Sequence, residues 1–184
     1  MKFKLILIVV LFGTSLNLSA KDGVAFMHPF GELRVYFKDW LVVCADKGEG
    51  ECRMVNYVNN NTNIKTGFFA DSRLTIIPAR ASKLALIDFF HRDAPSLIDS
   101  IRITVDRKKF SFAAVDYETP EHNKMMETYI LHNQTQLNTI FEASKSARWL
   151  TFTYAYDENK HKKVRFSLRG FTKAWAFIEK QTKL

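Results

Sequence analysis

Glycine is scarce in this chain, and its seven glycines are dispersed. A phosphate-binding loop needs several glycines close together so that backbone N–H groups can surround the phosphate, and no such segment is present. No G-x-S-x-G sequence occurs either, so a serine hydrolase of the nucleophile-elbow type has no support. Internal repeats and low-complexity stretches are also lacking. The sequence therefore offers neither a familiar nucleotide site nor a repeat architecture.

Histidines and carboxylates that could form an active site are few and scattered. No two histidines have the spacing of metal ligands on one helix face. The five histidines are His28, His91, His122, His132 and His161. His91 with Asp93 could be part of a catalytic dyad, although such pairs are common in surface loops. The aspartates are too spread out to indicate a paired-carboxylate glycosidase: Asp71, Asp88, Asp93 and Asp99.

We therefore predict no catalytic residues, no metal site and no cofactor, and we leave the ligand-binding residues unassigned. A hydrolase whose site is assembled from distant loops is the less favoured alternative, because residues far apart in sequence can meet in space.

Long apolar runs are missing except at the N-terminus. Two lysines precede an apolar segment at residues 5–12, and small residues follow up to Ala20. This order is typical of a secretory signal peptide. The run is too short for a hydrocarbon core about 30 Å thick, which takes about 20 residues to span, although an uncleaved anchor is the alternative. We predict a signal peptide at 1–20, a single β-rich domain at 21–184, and no transmembrane segment after cleavage.

The full chain has a net charge of +8. Cleavage of the predicted signal peptide would remove two lysines and no acidic residue, so the predicted mature chain carries a net charge of about +6. Its basic residues form short clusters, notably at 107–109 and 160–165. Such clusters are usually solvated strand and turn faces. The charge is compatible with lipopolysaccharide, phospholipid or another anionic partner without selecting one. Nucleic acid is not expected, since an exported protein seldom meets it.

Only two cysteines are present, Cys44 and Cys52, and a segment with two glycines separates them. Residues 33–44 and 52–58 on either side have the patterns of strands. If the turn folds back, the cysteines come within the Cα separation of a disulfide, about 4.4–6.8 Å. A loop this short would contribute about 2–3 kcal/mol of stability. Since the spacing is not C-x-x-C and no histidine is close in sequence, a structural disulfide is favoured over a redox or metal-binding pair.

Other segments also alternate between apolar and polar residues. Residues 101–105 and 110–114 flank a polar turn at 106–109, and residues 150–156 and 163–168 flank another turn at 157–161, so both pairs predict hairpins. The apolar run at 84–90 fits either a buried strand or a helical turn.

Two amphipathic helices are predicted, at 133–144 and 171–180. Asn133 with Gln136 resembles a capping box at the start of the first helix. Its apolar stripe is Leu137, Ile140, Phe141 and Ser144. The stripe of the second is Phe171, Ala174, Trp175 and Ile178. The predicted fold is therefore all-β, a β-sandwich of short antiparallel strands with two peripheral helices; the alternative is an α+β sheet with both helices on one face.

The three tryptophans, Trp40, Trp149 and Trp175, invite a carbohydrate-stacking interpretation. Core packing is the simpler explanation. Trp40 leads into an apolar strand and Trp175 belongs to a helical stripe, and we extend the same expectation to Trp149.

The order of these motifs resembles the invasion-associated locus B family of exported bacterial proteins. The matching segments are DWLVVC at 39–44 followed by Cys52, ITVDRKKF at 103–110, WLTFTY at 149–154 and RFSLRGFTKAW at 165–175. The resemblance implies a compact β-rich fold and a periplasmic or surface location. Some relatives are linked to host-cell invasion, but the family supplies no agreed activity and no catalytic residues. Relatives commonly carry a second cysteine pair where residues 113–126 of this chain have none.

The function that these observations favour is that of an exported, non-enzymatic interaction protein, periplasmic or at the cell surface, associated with virulence through host-cell interaction or with the envelope. Its partner would be a protein or envelope component of unknown identity, and its oligomeric state is not predicted. The alternative from another class is a glycan-binding or small-molecule-binding module that uses a cleft between the sheets.

Overall fold

The computed structural model describes residues 21–59, 70–80, 83–92, 100–118, 128–157 and 160–182. The predicted signal peptide at 1–20 lies outside these ranges, as do Asp93, Asp99 and His122. Among the described residues, no helix has both the length and the apolar character needed to cross a membrane.

The described residues form twelve strands, two α-helices and two short 3-10 turns. The strands are β1 (Phe26–Met27), β2 (Leu33–Phe37), β3 (Trp40–Cys44), β4 (Cys52–Val58), β5 (Ser72–Ile77), β6 (Leu86–His91), β7 (Ile101–Val105), β8 (Lys108–Phe112), β9 (Tyr117–Glu118), β10 (Thr128–Leu131), β11 (Trp149–Asp157) and β12 (Lys160–Ser167). The helices are α1 (Gln134–Ser144) and α2 (Phe171–Thr182).

The strands form two antiparallel sheets. The large sheet has the order β1-β2-β3-β4-β5-β6-β10-β9, and the small sheet has the order β12-β11-β7-β8. This confirms the predicted all-β class with two helices. Residues 86–90 of the ambiguous apolar run at 84–90 lie in strand β6, which pairs on both sides with β5 and β10.

Aromatic rings join the two sheets face to face. Phe89 of the large sheet stacks on Phe152 of the small sheet, with ring centroids 3.9 Å apart, and meets Phe166 edge-on at 6.1 Å. The carbonyl oxygen of Ser167 accepts two hydrogen bonds from the large sheet, from Trp40 Nε1 at 3.0 Å and from Asn56 Nδ2 at 2.9 Å. Because both donors are buried, these bonds satisfy polar groups that water cannot reach and set the position of β12 against the large sheet.

Helix α1 follows its predicted pattern closely. Its four stripe residues, Leu137, Ile140, Phe141 and Ser144, are all buried. The Asn133 side chain caps the helix by accepting from the backbone N–H of Gln136 at 3.2 Å. Only this half of the predicted capping box is seen, and the Gln136 side chain donates from Nε2 to the carbonyl of Ser111 at 3.1 Å.

Helix α2 packs on strands β2–β4 of the large sheet. Phe171 meets the Trp40 ring edge-on at 5.3 Å, and Phe177 contacts Phe37 at 5.7 Å. Trp175, predicted on the buried stripe, is half-buried, and its Nε1 donates to Glu179 at 2.8 Å. The helix is preceded by Gly170 at φ +92°, where an added Cβ would overlap the carbonyl oxygen of Phe37. Only glycine adopts this positive φ without strain and also leaves room for the Phe37 carbonyl.

Two predicted turns are shorter than expected. Strand β8 already begins at Lys108, so Asp106 and Arg107 alone make the turn, and Asp106 adopts φ +49°. Strand β12 begins at Lys160, which pairs with Asp157. Polar residues next to a turn can continue a ladder, because hydrogen bonding between strands uses the backbone and not the side chains. At the other end β8 stops at Phe112, and the predicted alternation does not reach Ala114, which lies in a 3-10 turn.

Candidate binding surface

The sulfur atoms of Cys44 and Cys52 are bonded at 2.05 Å, the pairing that the sequence predicts. The two residues lie directly opposite each other on β3 and β4, and Ala45 N donates to Glu51 O one position further along. Their Cα atoms are 4.0 Å apart, closer than expected because they occupy a non-hydrogen-bonded position, where antiparallel strands approach most closely. Both residues are buried, which favours a structural role over a redox role.

Among the residues that the structure describes, His91 contacts the backbone of Asp71, whereas Asp93, its partner in the candidate dyad, lies outside the described ranges. His91 is buried, and its Nδ1 lies 2.6 Å from Ser72 Oγ and 3.0 Å from the carbonyl oxygen of Asp71. The carboxylate of Asp71 faces Arg92 at 3.2 Å, whereas the carboxylate of Asp88 faces Arg73 at 3.4 Å. Each described aspartate of the predicted set therefore has an arginine of its own. Across the described ranges, no group of three His, Cys, Asp or Glu residues could hold a metal ion.

The carboxyl group of Asp88 has a shifted pKa, but the described groups around it do not form a catalytic arrangement. Burial raises the pKa of its carboxyl group, and the nearby Arg73 guanidinium offsets only part of that effect. The same guanidinium lies 5.8 Å from the centroid of the Phe90 ring. Asp88 and Arg73 form a partly buried ion pair on the outer face of the large sheet, and we interpret it as a structural feature.

Hydrogen bonds to Asp116 hold the described beginning, residues 113–118, of the stretch that lacks the second cysteine pair. Asp116 accepts from the backbone N–H of Ala113 at 2.9 Å and from Asn133 Nδ2 at 2.8 Å. The bond from the Asn133 amide is the larger cause, and both bonds lower the pKa of the Asp116 carboxyl group. The Asp116 carboxylate thereby links the segment that follows the β7–β8 hairpin to the start of α1.

Positive charge is concentrated on the small sheet. Its four strands contain seven lysines and arginines and one acidic residue. The eight strands of the large sheet contain three arginines and two acidic residues. Each arginine of the large sheet forms an ion pair: Arg34 and Arg53 with Glu32, and Arg73 with Asp88. Each arginine of the large sheet therefore has an acidic partner.

The solvent side of the small sheet presents four of these cations in two cross-strand rows. One row runs Arg165, Thr151, Thr104, Lys109, and the next runs Lys163, Thr153, Arg102, Ser111. We call this surface the small-sheet face and define it by Arg102, Thr104, Lys109, Trp149, Thr151, Thr153, Lys163 and Arg165. All four cations are exposed, and none forms an ion pair with any residue that the structure describes.

Trp149 lies on this face, with 37% of its surface exposed, so the expectation that it packs in the core is wrong. The reason is that side chains alternate between the two faces of the sheet along β11. Leu150 and Phe152 point inward, so Trp149, one position earlier, points to solvent with Thr151 and Thr153. The guanidinium carbon of Arg165 lies 3.7 Å from the centroid of its ring, in cation–π contact. The alternation was visible in the sequence and could have placed this tryptophan correctly.

The face contains a shallow depression of about 480 Å³. Asp106 borders it, but its carboxylate accepts from the backbone N–H groups of Arg148 and Trp149 at 3.2–3.3 Å. These bonds anchor the start of β11. The alternative glycan site is a cleft between the sheets, where stacked core rings such as Phe89 and Phe152 pack together.

The fold is similar to a solved structure. That structure is the crystal structure of invasion associated protein B from Bartonella henselae. The two share a TM-score of 0.60 over 82% of this chain and 99% of that chain, at 13% sequence identity. At this identity the similarity shows the fold alone. No family model matches the sequence, and no curated protein matches it either.

Proposed function

We propose that this protein is an exported interaction protein of the invasion-associated locus B type, which acts in the periplasm or at the cell surface and binds an anionic partner through the small-sheet face. Export is supported by the signal-peptide pattern at 1–20 and by the disulfide, because disulfides persist in oxidising compartments. The family assignment is supported by the order of the sequence motifs and by the similarity in fold.

The observation that carries the binding role is the unpaired charge of the small-sheet face. The four cations on one sheet surface outnumber their one acidic neighbour on the depression, Asp106, so the face has a positive potential that attracts an anionic partner and speeds its association. The strands beneath are held by the ring contacts between Phe89, Phe152 and Phe166, so the backbone spacing of the cations is set before binding. A non-enzymatic role is supported by the ion pairs that Asp71 and Asp88 form with arginines.

The test is binding of the purified mature protein to isolated envelope vesicles at increasing NaCl concentration. Reversing two charges with Arg102→Glu and Lys163→Glu should weaken binding by at least about tenfold, which corresponds to about 1.4 kcal/mol. The matched control is Lys173→Glu, an exposed charge reversal on α2 outside the face. The control should bind like the wild type, and wild-type binding should weaken with salt.

Equal binding by the double variant and the wild type would contradict the proposed role of the face. Binding that does not change with salt would contradict the anionic nature of the partner.

A further inference from the structure

We infer that the partner of the small-sheet face is an anionic polysaccharide, and that Arg165, oriented by Trp149, binds one of its carboxylate, sulfate or phosphate groups. This inference rests on the proposed function and names the ligand class for the same surface. The inference depends on three observations, namely the stacking of Arg165 on Trp149, the spacing of the four cations, and the threonines between them.

Arg165 is held in place without using its hydrogen-bond donors. Its guanidinium lies 3.7 Å from the centroid of the Trp149 ring, and none of its N–H groups is bonded to a described residue. Stacking fixes the plane of the guanidinium, while the donors along its edge stay available. A guanidinium oriented in this way can form two parallel bonds to a carboxylate, sulfate or phosphate. Less side-chain entropy is then lost on binding than for a freely rotating arginine.

The cations are distributed over an area and do not converge on one point. Arg165 and Lys163 are two positions apart on β12, which separates their Cα atoms by about 7 Å. Lys163 and Arg102 are two strands apart in one row, or about 10 Å. A single small anion could contact only part of this set. A polymer with charges repeated along its length could contact all of it.

The spaces between the cations are filled by threonines, namely Thr104, Thr151 and Thr153, which are partly exposed. Each hydroxyl can donate and accept a hydrogen bond, as the hydroxyls of a sugar can. The face therefore alternates groups that bind charge with groups that bind hydroxyls, the pattern that an anionic polysaccharide presents. It is also shallow, so an extended chain could lie across it.

Other anionic macromolecules fit less well. Membrane binding by a surface element needs a substantial apolar face, and here Trp149 is the single large apolar side chain among the residues that define the face. Single-stranded nucleic acid uses open aromatic rings for base stacking, whereas Arg165 covers one side of the Trp149 ring. An acidic peptide could bind the threonine hydroxyls through its backbone N–H and C=O groups, so polyglutamate is included among the probes to test this alternative.

The experiment is calorimetric titration of the mature protein with six probes. Heparin oligosaccharides carry sulfate and oligogalacturonate carries carboxylate, whereas dextran is a neutral polysaccharide. Phosphatidylglycerol vesicles, duplex DNA and polyglutamate are the anionic competitors of other classes. We expect at least one anionic oligosaccharide to bind at least tenfold more tightly than the three competitors, and dextran not to bind. Binding of oligogalacturonate would show that a carboxylate suffices, and binding of heparin alone would favour a sulfate-bearing ligand.

Two variants test the role of Arg165. Arg165→Lys keeps the charge and loses the planar fork, and Trp149→Leu keeps every charge and removes the stacking platform. Each should weaken oligosaccharide binding by about tenfold while leaving the salt dependence unchanged, because the number of charges is unchanged. Arg169→Lys, an exposed arginine outside the face, is the matched control and should bind like the wild type.

If a competitor binds as tightly as the oligosaccharides, or if no oligosaccharide binds, the inference that the ligand is an anionic polysaccharide is overturned. Binding to envelope vesicles that still depends on Arg102 and Lys163 would then leave the proposed function standing. If Arg165→Lys binds like the wild type, the role of Arg165 is overturned.

Discussion

Gly170→Ala is the substitution for which the structure makes the sharpest stability prediction. Gly170 joins β12 to α2 at φ +92°. A Cβ at this position would overlap the carbonyl oxygen of Phe37 and lie 2.6 Å from its carbonyl carbon. Backbone atoms of the β2–β3 turn cannot rotate away as the end of a flexible side chain can, so the turn and the helix would have to separate.

The magnitude has two parts. A left-handed backbone conformation costs a residue with a Cβ about 1–2 kcal/mol. Forcing atoms into a filled contact costs about 1–3 kcal/mol more, here because the packing of Phe171 on Trp40 and of Phe177 on Phe37 is disturbed. The free energy of unfolding should therefore fall by about 2–5 kcal/mol.

The matched control is Gly31→Ala. Gly31 has φ +79°, close to that of Gly170, but nothing lies within 4 Å of its added Cβ. It should lose only the backbone part, about 1–2 kcal/mol. Urea unfolding with the disulfide intact measures both variants against the wild type. If Gly170→Ala costs no more than Gly31→Ala, the contact with Phe37 does not constrain this position and the reasoning is refuted.

Two further predictions concern the disulfide and the buried carboxyl group. Non-reducing mass spectrometry of the exported protein should show a chain beginning at Lys21 with one Cys44–Cys52 bridge, and reduction should lower stability by about 2–3 kcal/mol; an intact N-terminus with two free thiols would refute this. Asp88 should make the protein less stable as pH rises from its ordinary pKa of 3.8 through its raised folded value, because the folded state holds the proton more tightly than the unfolded state. Asp88→Asn removes this titration, so the stability of the wild type relative to the variant should decline over that range in urea unfolding from pH 3.5 to 7. A constant difference would show that the pKa of Asp88 is not raised.

Local periodicity was enough to predict most of the elements. The alternation around Ile103 and Phe152 predicted strands β7 and β11, and the i, i+3, i+4 stripe around Leu137 predicted α1. These patterns succeed because each reports which side of one element is buried. The apolar run at 84–90 stayed ambiguous because periodicity within so short a segment does not distinguish a buried strand from a helical turn, and pairing with β5 and β10 decided it.

The candidate surface was not predicted, because the sequence left the ligand-binding residues unassigned. The basic cluster at 160–165 was visible, but its charges could not be assigned to one face together with Arg102 and Lys109, which lie far away in the chain. Trp149 was expected in the core because tryptophan is usually largely buried, although its position in β11 places it outside.

The order of residues along the chain was sufficient for the signal-peptide prediction, the closing of one hairpin by its two cysteines, and the class of the fold, since each depends on neighbours within about a dozen positions. The register between strands decided the rest. Pairing of β11 with both β7 and β12 brings Arg102, Lys163 and Arg165 onto one surface, and packing of the two sheets turns that surface to solvent. Contacts between distant segments create such a site, and no local pattern contains them.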